Sequence, residues 1–364
     1  MKKSFLMLGL AVAAMSSCTN DEVIDLNQSN QKAIGFESFV NKGTRAADGY
    51  VDVTNEVTSS NLNRFYVYGY HDGTQNNIVF TDVLVVKDNT VPVGWKMAAA
   101  NEKNWETQEY NFAAIADGAG TGVTLISNPE QKAYSSSFAN ATLNITGYTV
   151  SNQTDLIAAV ATRNNSSTLN TNAVSLDFKH LLSKVDFKFT NTNENNLSMV
   201  VSNVTLKVKT KANCAYNGTA TWSNWDIETT YSLTQPTNGT EDNTSYGGGN
   251  DLNDIPRKNI IAKGQSSNIS AEYFVIPSQT VASINYTVKF YDAAGNQVEE
   301  KTNQTLSLFP NSNDETLKWI PSFIYKYNVH LPASPKKIQF SVNSVGGWES
   351  QNVTLDGKLA TTAN

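Results

Sequence analysis

Apolar and polar residues alternate with period two through much of the second half of this chain. Val174, Leu176 and Phe178 interleave with Ser175, Asp177 and Lys179, and Val185, Phe187 and Phe189 interleave with Lys184, Asp186 and Lys188. Val204, Leu206 and Val208 repeat the pattern, as do Ile284, Tyr286, Val288 and Phe290, then Tyr325, Tyr327 and Val329. Ile338, Phe340 and Val342 make the last clear segment. Each predicts a strand with one apolar and one polar face, the signature of antiparallel sandwich sheets. The first half is less regular: Phe65 to Tyr70 alternates Phe65/Val67 with Tyr66/Tyr68, and further strands are expected over Val79–Val86 and Tyr110–Ile115. One short helix is expected at Leu156–Val160, with Thr154 or Asp155 as its cap. Asp292 to Asn296, with Gly295, reads as a hairpin turn, and residues 238–254, with three consecutive glycines, read as a polar loop. The polar stretch Asn164–Thr171 divides the chain into β-sandwich domains over 46–172 and 173–364. The expected fold is all-β, two tandem antiparallel sandwiches with few short helices.

The extreme N-terminus departs from this pattern. Lys2 and Lys3 precede a ten-residue apolar run, Phe5–Ala14, followed by Met15, Ser16, Ser17 and Cys18. The run is too short to span a bilayer and reads as a signal peptide over 1–17 whose removal leaves Cys18 first. A cysteine at that place is a bacterial lipoprotein processing site, its thiol taking a diacylglyceryl group. Several acyl chains, at about 0.8 kcal/mol per buried methylene, hold a protein stably where one does not. The polar segment that follows, with Asn20-Asp21-Glu22, cannot bury itself and reads as a tether. The acidic pair Asp21-Glu22 so soon after the cysteine resembles the surface-export signal of lipoproteins in Bacteroides-like bacteria, which implies a place on the cell outer membrane, facing outward.

Composition narrows the function classes. Charged residues are 16% of the chain, the net charge is −6 and the pI near 5.2, with no basic cluster longer than two residues, which argues against nucleic acid. Cys214 is left without a disulfide partner once Cys18 is lipidated, so stability must come from sheet packing. The three histidines, His71, His180 and His330, are scattered, and no His-Glu-x-x-His, Cys-x-x-Cys, Gly-x-Ser-x-Gly or phosphate-binding loop occurs. No enzyme, metal or cofactor is expected. Asp251 and Asp254 lack the alternating acids of a calcium loop. His180, without an acid or nucleophile beside it in sequence, reads as a polar residue closing a strand. Trp222 and Trp225 offer a sugar-stacking platform, against the commoner use of tryptophan in packing.

One segment stands apart. Ile34–Val40 is strand-like, with Ile34, Phe36 and Phe39 as anchors, and leads directly into Asn41-Lys42-Gly43-Thr44-Arg45-Ala46, a small-residue loop open to a protease cutting between Arg45 and Ala46. With the lipoprotein cysteine, the block Leu176-Asp177-Phe178-Lys179-His180-Leu181-Leu182-Ser183-Lys184-Val185, the pair Trp319-Ile320-Pro321 and Tyr325-Lys326-Tyr327, and Ile338-Gln339-Phe340-Ser341-Val342 running on to Trp348, the chain resembles the fimbrillin family of Bacteroides-type bacteria. The resemblance implies two transthyretin-like sandwich domains, export as a lipoprotein, and removal of the N-terminal strand (within 18–45) by an arginine-specific protease. It also implies a groove that accepts a strand from a neighbouring fimbrial subunit, building a head-to-tail homopolymer or a mixed fimbria. The strand holding Ile338, Phe340 and Val342 is the candidate donor. The competing expectation is an adhesin, at a fimbrial tip or on the surface without polymerising, that binds a host glycan or protein.

Overall fold

The computed structural model describes residues 32–40, 62–72, 77–88, 94–118, 134–150, 153–239, 243–245, 251–268, 272–309, 318–332, 339–344 and 352–353. Cys18, Arg45, Ala46 and Ile338 lie outside them. Among the described residues the regular structure is strand, as the alternation predicted, apart from short 3-10 turns at Ala99–Asn101 and Arg257–Asn259.

The strands of the first half are β1 (Phe36–Val40), β2 (Arg64–His71), β3 (Ile78–Asp88), β4 (Gly94–Lys96), β5 (Glu109–Gly118), β6 (Ser135–Ala139), β7 (Thr142–Thr149) and β8 (Asp155–Asn164). Those of the second half are β9 (Val174–His180), β10 (Ser183–Asn191), β11 (Ser198–Tyr216), β12 (Ala220–Ser232), β13 (Tyr273–Val275), β14 (Ala282–Tyr291), β15 (Gln297–Ser307), β16 (Ile324–Leu331), β17 (Gln339–Ser344) and β18 (Asn352–Val353). They form three sheets: β1-β9-β8-β5-β2-β3-β4, β13-β10-β16-β17-β18, and β15-β14-β11-β7-β6 with β12 added to β11.

The central strands of the first sheet, β2, β5 and the first half of β8, are buried on both faces. On β2, Phe65 and Val67 enter one core while Tyr66 and Tyr68 enter another. The same is true of β8, where Ile157 and Ala159 face one way and Leu156 and Ala158 the other. This corrects the expected helix at Leu156–Val160. A continuous apolar run fits a helix and a doubly covered strand equally well by pattern, and here it lies between β5 and β9. Opposite it, Ala113 and Ala114 pair with Val160 and Ala159.

The third core lies between β10 and β16 on one side and β11 and β14 on the other. Strand β11 ties the cores together: Leu206 and Val208 serve the third, Ala212, Cys214 and Tyr216 the second. The 164–171 segment joins β8 to β9, which belongs to the same sheet, so the first sheet runs past residue 172. The expected turn after β14 is present: Gly295 has φ +86°, its N–H donates to the Asp292 carbonyl, and the Asp292 carboxylate accepts from the backbone N–H groups of Ala294 and Asn296.

The polar face of β10 departs from expectation. Lys184 and Asp186 are buried rather than solvated. Lys184 Nζ lies 3.3 Å from a Glu272 carboxylate oxygen and over the Phe274 ring. This end of the strand is covered because Phe274 and Ile324, on its two sheet neighbours, pack into the core beneath the first sheet.

Candidate assembly site

Strand β1 is an edge strand that reaches into the first core. It runs parallel to β9, Phe36 opposite Val174 and Val40 opposite Phe178, and the Val174 N–H donates to the Gly35 carbonyl. Just upstream the chain turns its other side to residues 103–105. Ile34 N–H donates to the Lys103 carbonyl at 2.7 Å and Trp105 N–H to the Lys32 carbonyl at 3.0 Å. Ile34 and Phe36 are buried. The Phe36 ring meets Phe65, Phe80 and Phe112 at centroid distances of 6.1, 5.9 and 5.9 Å, in edge-to-face geometry. One β1 side chain thereby touches rings from β2, β3 and β5. Burying each such side chain is worth about 1.5–3 kcal/mol, and an aromatic pair of this geometry adds about 0.5–1.5 kcal/mol. Phe39 stands opposite Asp177 in the ladder.

Beside this seat lies Trp105, buried, edge-on to Tyr110 at 5.1 Å with the Arg163 guanidinium 5.5 Å from its ring centre. The 102–106 segment is thus part of the seat of β1, which nothing in its polar sequence announced. Phe340 and Val342 lie in β17, opposite Val329 and Tyr327 of β16, while β18 pairs with the far side at Val342. The candidate donor strand is therefore paired along one edge from Gln339 to Ser344 and on the other at Val342 and Asn343.

The remaining residues singled out in the sequence have structural employment. Trp222 is buried with its indole N–H donating to the Leu181 carbonyl, and Trp225 is half-buried with its indole N–H donating to the Pro277 carbonyl. Asp251 accepts from the Gln297 N–H. His180 has an acid partner that sequence reasoning missed: its Nδ1 lies 2.7 Å from a carboxylate oxygen of Asp155, and both are buried. The two come from the start of β8 and the end of its neighbour β9, so strand pairing, not sequence spacing, brings them together. The Ser322 hydroxyl donates to the His180 carbonyl, 2.7 Å away. Among the described residues no cluster of three or more His, Cys, Asp or Glu side chains is placed to hold a metal.

The family model described as fimbrillin-like matches residues 44–348. A search of curated proteins finds no match. Among solved structures, a fimbrial protein from Bacteroides vulgatus aligns over 87% of this chain and 99% of its own, at 16% identity and a TM-score of 0.55. Two proteins named for a proposed role in cell adhesion are also similar. The one from Bacteroides uniformis covers 86% and 98% of the two chains at 14% identity and a TM-score of 0.39. The one from Bacteroides ovatus covers 89% and 100% at 12% identity and a TM-score of 0.43. With a match running from residue 44 to residue 348, the chain belongs to the fimbrillin-like family.

Proposed function

We propose that this protein is a structural subunit of a surface fimbria, made as a lipoprotein on Cys18, cut between Arg45 and Ala46, and assembled by strand exchange at the seat of β1. The observation that carries this reading is the Phe36 ring held among Phe65, Phe80 and Phe112 by a strand that pairs with β9 at the sheet edge and lies five residues before Arg45. While the chain is intact, β1 is tethered to its seat and refills it at an effective concentration of order millimolar. Cutting converts it to a free peptide that dilutes away, leaving β9 with an unpaired edge beside an open aromatic core. Such an edge takes an extended strand from another chain.

The late part of the chain carries a matching spacing, Ile338-x-Phe340 against Ile34-x-Phe36. A donor entering in the same direction puts Ile338 and Phe340 of one copy where Ile34 and Phe36 sat in the next. A contact of this head-to-tail kind does not close and produces a filament. Three or four large apolar anchors at about 1.5–3 kcal/mol each, with a backbone ladder, suffice to hold it. Sister subunits and the arginine-specific protease are the partners this requires, and attachment of cells is the role it serves. A structural rather than catalytic protein fits the family.

A second reading has one observation in its favour. Strand β17 pairs with β16 along its length and with β18 at Val342 and Asn343, as befits a subunit that keeps its strand and sits at a tip or alone on the surface as an adhesin. Arginine-specific protease acting on the acylated protein, followed by sedimentation and N-terminal sequencing, separates the two. The polymer reading expects a new terminus at Ala46 and a ladder of oligomers. Cutting at Ala46 with a product that stays monomeric favours the second reading, and a first cut elsewhere removes the first.

A further inference from the structure

We propose that the cavity between β2, β3 and β6 binds a single neutral sugar ring. It encloses about 220 Å³, below the roughly 300–1,000 Å³ of sites for drug-sized ligands and suited to one pyranose. Its existence traces to a local break in strand pairing. Val67 pairs with Val83 and Gly69 with Phe80, so Thr81 and Asp82 together oppose Tyr68, and Asp82 takes the left-handed conformation at φ +53°. A bulge of this kind re-aims side chains, and such bulges gather beside binding sites.

The Tyr68 hydroxyl donates to Asp82 at 2.6 Å and lies 2.6 Å from the Ser136 hydroxyl, fixing the end strand β6 against the bulge. Next to that tie, the Tyr70 and Phe138 rings pack against each other 5.2 Å apart at 38°; Tyr70 is buried, and the partly exposed Phe138 ring is the aromatic surface left to meet a ligand. Tyr70 is held in place because its hydroxyl accepts from the Ala141 N–H. Ile78, 63% exposed, forms the lip, and the Thr81 and Ser137 hydroxyls complete the rim.

The chemistry of the ligand follows from the lining. Among the described residues no lysine, arginine, histidine or carboxylate lines the cavity, and none of those lining it offers an ionic partner to a phosphate, sulfate or amine. An aromatic wall with a hydroxyl rim instead matches a ring having an apolar C–H face and equatorial hydroxyls. The cavity meets the seat of β1 at Phe80, which lines it and whose ring lies 5.9 Å from Phe36; Tyr68, lining it from β2, faces the core on the β6 side, whereas Phe65 and Phe36 occupy the opposite face. On a fibre, one weak site per subunit would be multiplied by avidity, about 10²–10⁴-fold.

Saturation-transfer NMR on the full protein, with the methyl glycosides of glucose, galactose, mannose, fucose and N-acetylglucosamine at millimolar concentration, tests the proposal. Transfer to ring protons of at least one glycoside is expected. It should fall at least tenfold in Ile78→Glu and in Ser137→Leu, both at exposed positions, and persist in Val298→Glu, an exposed apolar site on β15. Phe138→Ala should behave like the first two, with retained thermal unfolding showing that it folds. Absence of transfer with all five glycosides, or transfer unchanged in Ile78→Glu and Ser137→Leu, overturns the proposal.

Discussion

Single side chains in this protein act through what covers them. Cys214 is the plainest case. Buried on β11 in the core beneath the first sheet, its thiol is pushed from the ordinary value of 9.0 up to about 12, because burial penalises the thiolate. The sign of the consequence is fixed. Above pH 9 the unfolded chain sheds this proton while the folded chain keeps it, so stability falls as pH rises from 9 towards 12. We expect Cys214→Ala to flatten that part of the fall in denaturant unfolding at pH 8, 9.5 and 10.5, and the wild-type thiol to resist alkylation until the protein unfolds. A wild-type thiol that reacts rapidly in the folded protein at pH 8 would contradict this. The contrast with His180 shows what was legible at this scale. That Cys214 is free followed from a count of cysteines. That His180 meets Asp155 did not, because the contact spans 25 residues and exists only once β8 and β9 are neighbours.

Elements were legible in proportion to how one-sided they are. β9 and β14 bury alternate residues or nearly so, and the period-two reading found them at once. β8 has apolar neighbours on both faces, loses its alternation and imitates a helix; β10 buries Lys184 and Asp186 behind a covering that no local pattern reports. The candidate site was half legible for the same reason. Ile34 and Phe36 stand out as apolar residues after a polar tether, whereas their seat is assembled from β2, β3, β5, β9 and the 102–106 segment. The weight on β1 is concentrated in one ring. Phe36→Ala leaves a void among three aromatic rings and should cost about 3–5 kcal/mol, read as a lowered denaturant midpoint at unchanged slope. A cost below ~1 kcal/mol would show that β1 rests on the surface of a sheet complete without it.

At the scale of the molecule, the first sheet has a core on each face, and the two faces carry different tasks in this account. One is closed by β1 and is where we propose that a second copy enters. The other packs on β6 and β7 and holds the cavity assigned to a sugar ring, leaving both usable in one fibre. Strand β11 runs through the second and third cores, so a strand exchanged at one end of a subunit is anchored in a body packed around a shared strand. The central claim is that β1 can be removed and replaced. Hydrogen exchange of residues 174–178, followed by mass spectrometry, reads it most directly. The account predicts slow exchange in the intact protein, fast exchange once the chain is cut after Arg45 and β1 is washed away, and renewed protection when subunits assemble. Exchange at 174–178 that stays equally slow before and after removal of β1 would contradict it.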